Sequence, residues 1–172
     1  MATSTAPSPV SDRPRPALLD NGANKLLIGD EWVDAASGET FETVDPMTEQ
    51  VLTESAAGGA EDVDRAVAAA RRAFEDPTWA DMPPHQRTRL LLAIGEQIEA
   101  RAEEMAQLDS LNNGAPFTLT KIMMERASEV FRYYAGWPTK IYGETNPSDP
   151  EFFSYTLREP VGVCGQIIPW NF

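Results

Sequence analysis

The chain has 172 residues, 42% hydrophobic and 24% charged, a length and balance that suit one globular domain. Its 27 acidic against 14 basic residues leave a formal charge of −13, which excludes nucleic acid and anionic membrane surfaces as partners, since both need a basic patch. A single cysteine, Cys164, and a single histidine, His85, exclude an internal disulfide and fall short of a Cys/His zinc set, so no metal site is expected and a reducing, cytoplasmic compartment is.

Residues 1–25 are rich in Ala, Ser, Thr and Pro, including Pro7, Pro9, Pro14 and Pro16. They hold too little apolar surface to offset ordering entropy and read as a disordered tail. No continuous apolar segment marks a secretory signal, and Asp12 and Asp20 count against a transit peptide. No run approaches the roughly 18 apolar residues of a membrane span. Leu26-Leu27-Ile28, a Gly29-Asp30 turn and Glu31-Trp32-Val33 read as a hairpin. Residues 40–44 and 50–53 are further short strands around an Asp45-Pro46 turn.

Gly58-Gly59 breaks the chain before a helix expected over 61–75, with Val63, Val67, Ala70 and Phe74 on one apolar face. Glu61, Asp62 and Asp64 in its first turn complement the helix macrodipole. One long helix is expected over 84–111, with a stripe of Leu91, Ile94, Ile98, Met105 and Leu108 and with Gly114 just past its end. A third helix is expected over 116–135, opened by Pro116 and stopped by Gly136. Its apolar residues include Leu119, Ile122, Met123, Val130, Phe131 and Tyr134. Residues 143–150 form a polar loop, 152–157 a strand, and 161–168 a β-rich stretch that feeds a Pro169-Trp170-Asn171 corner. Strands, three helices and strands again make an α/β or α+β pattern without a complete βαβ unit at its end.

Few residues offer chemistry. There is no G-x-G-x-x-G dinucleotide fingerprint and no phosphate-binding glycine-lysine loop. Gly58-Gly59 before a helix offers an anion cradle, but the acids that follow repel anions, which favours a plain loop. Glu103-Glu104 reads as solvated helix surface. Cys164 lies between Val163 and Gly165 in a buried-looking stretch, with no cation close in sequence to lower its pKa, so it reads as packing rather than as a nucleophile. His85, after Pro83-Pro84, reads as a surface or capping residue. Asn171 carries a neutral amide NH2, a donor that holds an oxyanion without titrating.

The run Glu159-Pro-Val-Gly-Val-Cys-Gly-Gln-Ile-Ile-Pro-Trp-Asn-Phe172 resembles a characteristic run of the NAD(P)-dependent aldehyde dehydrogenases. Arg132-Tyr-Tyr-Ala-Gly-Trp137, Phe152-Phe-Ser-Tyr-Thr156, Ile28-Gly-Asp-Glu-Trp32, Val44-Asp-Pro46 and Asn113-Gly114 resemble that family too, in the right order over residues 26–172. The likeness is nearest to the tetrameric class acting on retinal, acetaldehyde or betaine aldehyde.

The resemblance implies the N-terminal part of the aldehyde dehydrogenase fold. Residues 26–137 would begin the cofactor-binding domain, 138–160 would be an oligomerisation arm, and 161–172 would open an incomplete Rossmann-like core. It implies oxidation of an aldehyde to a carboxylic acid with NAD or NADP through a thiolate nucleophile, with Asn171 as the side-chain donor to the oxyanion. Ile168, Pro169, Trp170 and Asn171 would line the cofactor site. The family's nucleophilic Cys and general-base Glu lie downstream of this motif, so residues 1–172 are expected to be an inactive N-terminal fragment. Cys164 is not that nucleophile. The other reading is an inactive binding module that pairs with full-length subunits through 138–160; a structural monomer is poorer, because faces meant for other elements would be exposed. Thr43 and Val44 match positions that bind a monovalent cation in some members, whereas Asn112 stands where an acid is often found. The identity of the aldehyde and the choice of NAD against NADP lie beyond these residues.

Overall fold

The structure, a computed structural model, describes residues 16–19 and 24–169. Two hairpins come first. Strands β1 (Leu26–Ile28) and β2 (Glu31–Val33) pair antiparallel through a turn in which Gly29 takes φ +70°. Strands β3 (Thr40–Val44) and β4 (Val51–Ala56) pair with an irregularity between Thr43 and Val44. Their turn is held by buried Asp45, whose Oδ1 accepts from the Met47 N–H at 2.8 Å, so a short acid does the work of a backbone turn bond.

Five helices follow: α1 (Ala60–Glu75), the single turn α2 (Pro77–Ala80), α3 (Pro84–Ala100), α4 (Ala102–Asn113) and α5 (Phe117–Ala135). Both α3 and α4 pack on α5, and these are the two most extensive helix–helix contacts. The apolar stripe expected on the long helix does turn inward: Leu91, Ile94, Ile98, Met105 and Leu108 are half-buried. The seam, however, depends on small and hydroxyl side chains. Gly95 lets α5 approach so closely that a Cβ there would stand 3.2 Å from the Ser128 carbonyl oxygen. Ser128 Oγ donates to the Gly95 carbonyl at 2.8 Å and Thr120 Oγ1 to the Ala106 carbonyl at 2.9 Å, which satisfies both buried hydroxyls across the interface. Thr88 Oγ1 donates to the Ala135 carbonyl, closing the end of α5.

Several expectations need correction. The helix expected over 84–111 is two helices, broken at Arg101, which takes φ −114° and ψ 12° and donates its N–H to the carbonyls at the end of α3. The break aims buried Ala102, Ala106 and Leu111 at their neighbours. On α1 the valine stripe faces outward, with Val63 59% and Val67 48% exposed. The buried positions are Asp62 and Ala69 instead, because α1 is seated by polar bonds from Asp62 and by Ala69 packing under Gly29. Leu119, Ile122, Val130 and Tyr134 of α5 are exposed, whereas Met123 and Phe131 are half-buried. Within the segment expected to be disordered, residues 17–19 form a 3-10 turn against α4 with Pro16 and Leu19 buried.

The last part of the chain is a hairpin of two-residue strands, β5 (Thr145–Asn146) and β6 (Ser154–Tyr155), shorter than the strand expected over 152–157. Residues 161–168 form no strand, contrary to expectation. A parallel strand needs a neighbour for its N–H and C=O groups, and every sheet among the described residues is a two-stranded antiparallel hairpin. No helix among them is long and apolar enough to cross a membrane.

Candidate functional site

The residues singled out for chemistry fall in two places. The first is the stretch 161–169, which precedes Trp170 and Asn171 in the chain. Gly162 takes φ +111°, a backbone conformation that L side chains resist, and re-aims the chain beside α1. Arg71 Nη1 lies 3.8 Å from where a Gly162 Cβ would stand. Ile167, Ile168 and Pro169 are exposed, Ile168 by 72%. An aliphatic chain and a proline ring presented together are suited to an apolar wall against a ring or a ribose. Trp170 and Asn171 lie outside the described residues. Cys164 is exposed rather than packed, which corrects the sequence reading; its Sγ sits 3.6 Å from the Gly162 carbonyl. His85 is exposed in the first turn of α3, in line with the surface reading, and the N-cap of that helix carries no side-chain hydrogen bond.

The second place is a cavity of about 780 Å³ between the β3–β4 hairpin and helices α4 and α5, edged by Leu19. Phe41, Met105, Leu108 and Met124 give it apolar walls, and Thr43, Asp109 and Asn112 give it a polar edge. Thr43 Oγ1 is paired with Ser55 Oγ at 3.0 Å. The fold thus brings Thr43 and Asn112 to one cavity, while Val44 points into solvent at 39% exposure. Among the described residues neither Cys, His, Lys nor Arg lines it, so it offers no thiol, imidazole or cationic group. Among the described residues no cluster of three or more His, Cys, Asp or Glu is placed to hold a metal ion.

One polar centre escaped the sequence reading. Asp62, 4% exposed, accepts from the Gly59 N–H at 3.0 Å and from the Ala36 N–H at 3.0 and 3.2 Å, and pairs with Arg65 at 3.2 Å. The Gly59 bond first, then the Ala36 bond and the Arg65 charge, outweigh burial and hold its carboxyl below the usual range. The clue in the sequence was an acid three positions after a glycine N-cap, which reaches back to the cap N–H. Because the folded pKa lies below the unfolded one, the carboxylate stabilises the fold above about pH 3.9, and that contribution is lost as the pH falls further through the folded value. Asp62→Asn is therefore expected to lower the urea midpoint at neutral pH, with the gap to wild type closing in acid. A gap that persists unchanged at low pH removes the charge from the explanation.

A model of the aldehyde dehydrogenase family matches residues 32–172. The horse mitochondrial aldehyde dehydrogenase is 48% identical over 151 residues, covering 87% of this chain and 30% of that protein. A Bacillus cereus aldehyde dehydrogenase solved as its NAD+ complex superposes with a TM-score of 0.77 at 43% identity, over 80% of this chain and 28% of that one. A Staphylococcus aureus betaine aldehyde dehydrogenase variant solved with NAD+ superposes with a TM-score of 0.85 at 35% identity, over 90% of this chain and 31% of that one. The chain thus spans about 30% of the length of the relatives it matches.

Proposed function

The chain belongs to the aldehyde dehydrogenase family, and from that premise we propose that the protein carrying residues 1–172 oxidises an aldehyde to a carboxylic acid with a nicotinamide dinucleotide. The observation that carries this reading is the reach of the family match through residue 172, which takes in Glu159-Pro-Val-Gly-Val-Cys-Gly-Gln-Ile-Ile-Pro-Trp-Asn-Phe172. Attack of a thiolate on the aldehyde carbonyl generates an oxyanion, and Asn171 donates its amide N–H to that oxygen. The nicotinamide, when bound, accepts hydride. Ile168, Pro169, Trp170 and Asn171 form one wall of its site, and the exposed aliphatic surface of Ile168 and Pro169 suits that use. NAD is favoured over NADP because the two neighbours described above were solved with NAD+. The nucleophilic thiol and the general base come from elsewhere in the protein, so residues 1–172 alone do not turn over. The setting is soluble and cytoplasmic.

Residues 138–160 serve as the arm through which copies of the protein assemble. Supporting this, Tyr142, Phe152, Phe153 and Leu157 are each at least 69% exposed. The same exposed residues favour a second reading, an inactive partner that binds full-length subunits. One assay separates the two. The intact protein, given a panel of aldehydes with NAD+ or NADP+, is expected to produce reduced nicotinamide, and residues 1–172 alone none. Turnover by residues 1–172 alone would overturn the division of the site. A silent intact protein that nevertheless joins active subunits would establish the second reading.

A further inference from the structure

We propose that Asn113–Gly114 is a modification site, a deamidation switch that the end of α4 holds closed and that cannot reclose once fired. The inference stands apart from the reading of function above. An Asn-Gly pair reacts when the Gly amide nitrogen attacks the Asn side-chain carbonyl carbon. The new C–N bond closes a succinimide, and the Cγ–Nδ2 bond breaks. Ammonia leaves with the proton from the Gly nitrogen. Water then opens the ring at either carbonyl, leaving aspartate or isoaspartate. No oxidant or reductant is involved.

Every group in that step is engaged here. The attacking Gly114 N–H is bonded to the Ser110 carbonyl at 3.0 Å. Asn113 Nδ2 donates to Asp109 Oδ1 at 2.9 Å, and Asn113 Oδ1 accepts from the Ala115 N–H at 2.7 Å. The donor to Oδ1 and the carboxylate facing Nδ2 fix the amide orientation between them. Asn113 is the last residue of α4, so its backbone holds the helical ψ that keeps its side chain away from the following nitrogen. Gly114 is locked at φ +79°, with Pro46 Cγ 3.1 Å from its missing Cβ. Reaction therefore requires the last turn of α4 to open, a local event far smaller than global unfolding.

The product does not fit the closed turn. A carboxylate at 113 loses the Nδ2 donor and faces Asp109 at the i,i+4 spacing, where like charges repel. It also places negative charge at a helix C-terminus, which is already the negative end of the macrodipole. Isoaspartate adds a methylene to the main chain, which moves Gly114 off Pro46. Either product leaves the α4–α5 turn open beside the cavity.

The test incubates the intact protein at mildly alkaline pH and follows residue 113 by peptide mass mapping with isoaspartate quantification. The expected order is slow in the native protein, several-fold faster for Asp109→Ala, and fastest for wild type in urea. Asn113→Asp, which keeps the Oδ1 acceptor and changes only donor and charge, is expected to lower the melting temperature. Equal rates in the native protein and in urea would overturn the gating. An Asn113→Asp variant as stable as wild type would overturn the one-way character, and this arm decides that point even where Asp109→Ala does not fold.

Discussion

Asn171→Ala in the intact protein is expected to slow acylation by ~10²–10³-fold, the loss of ~2.7–4 kcal/mol of transition-state stabilisation that follows removal of one oxyanion donor. The magnitude comes from when the bond matters. The aldehyde oxygen bears little charge in the ground state and nearly a full charge in the tetrahedral adduct, so the amide N–H gains strength as the barrier is climbed. The Michaelis constant should therefore change far less than the rate. An amide does not titrate, so the deficit should be flat across pH, unlike that of a lost acid or base. Asn171→Asp should be at least as damaging, because a carboxylate removes the donor and adds repulsion. Steady-state turnover is a poor gauge if a later step limits it. The rate of the first burst of reduced nicotinamide under single-turnover conditions isolates acylation. A burst rate equal to wild type would remove Asn171 from the chemistry.

That prediction rests on residues legible only by likeness. Nothing in composition or periodicity distinguishes Asn171 from any other loop amide, and its role enters through the run that precedes it. What local chemistry determines is legible: the Gly29-Asp30 turn, Gly114 just past a helix end and the Asp45-Pro46 turn all stand, while Pro116 is the N-cap of α5 rather than part of its first turn. What depends on distant partners was not. The stretch 161–168 has the composition of a strand, but a ladder is made by two segments, and the described residues supply no second one. Cys164 was read as packing for the same reason and is exposed. The valines of α1 form a proper helical stripe, yet Asp62 determines which face turns inward. The break at Arg101 lies between stretches of good helix formers with neither glycine nor proline to announce it, so nothing local in the sequence marks it.

Gly143→Ala is expected to weaken assembly of the intact protein by ~5–150-fold in apparent dissociation constant. Gly143 stands where the chain enters the β5–β6 hairpin, directly against the opposing backbone. The added methyl would run into the Thr156 carbonyl oxygen and lie 2.9 Å from its carbon. Neither is the end of a flexible side chain, so the backbones must part. Two bonds sit at that point: the Thr156 N–H to the Glu144 carbonyl at 2.8 Å, and the Glu144 N–H to Thr156 Oγ1 at 2.9 Å. An overpacked contact of this kind costs ~1–3 kcal/mol. In a well-packed core that would be absorbed, but a hairpin of two-residue strands has almost nothing in reserve. The arm should therefore spend most of its time open. If residues 138–160 assemble only when closed, the opening free energy appears directly in the association constant, because binding draws on the closed fraction alone. Light scattering across a dilution series reads the shift in midpoint. Amide exchange supplies the cause: Thr156 should lose protection while the α3–α5 seam keeps it. Lost protection at Thr156 with an unmoved midpoint would mean that copies assemble through some other surface.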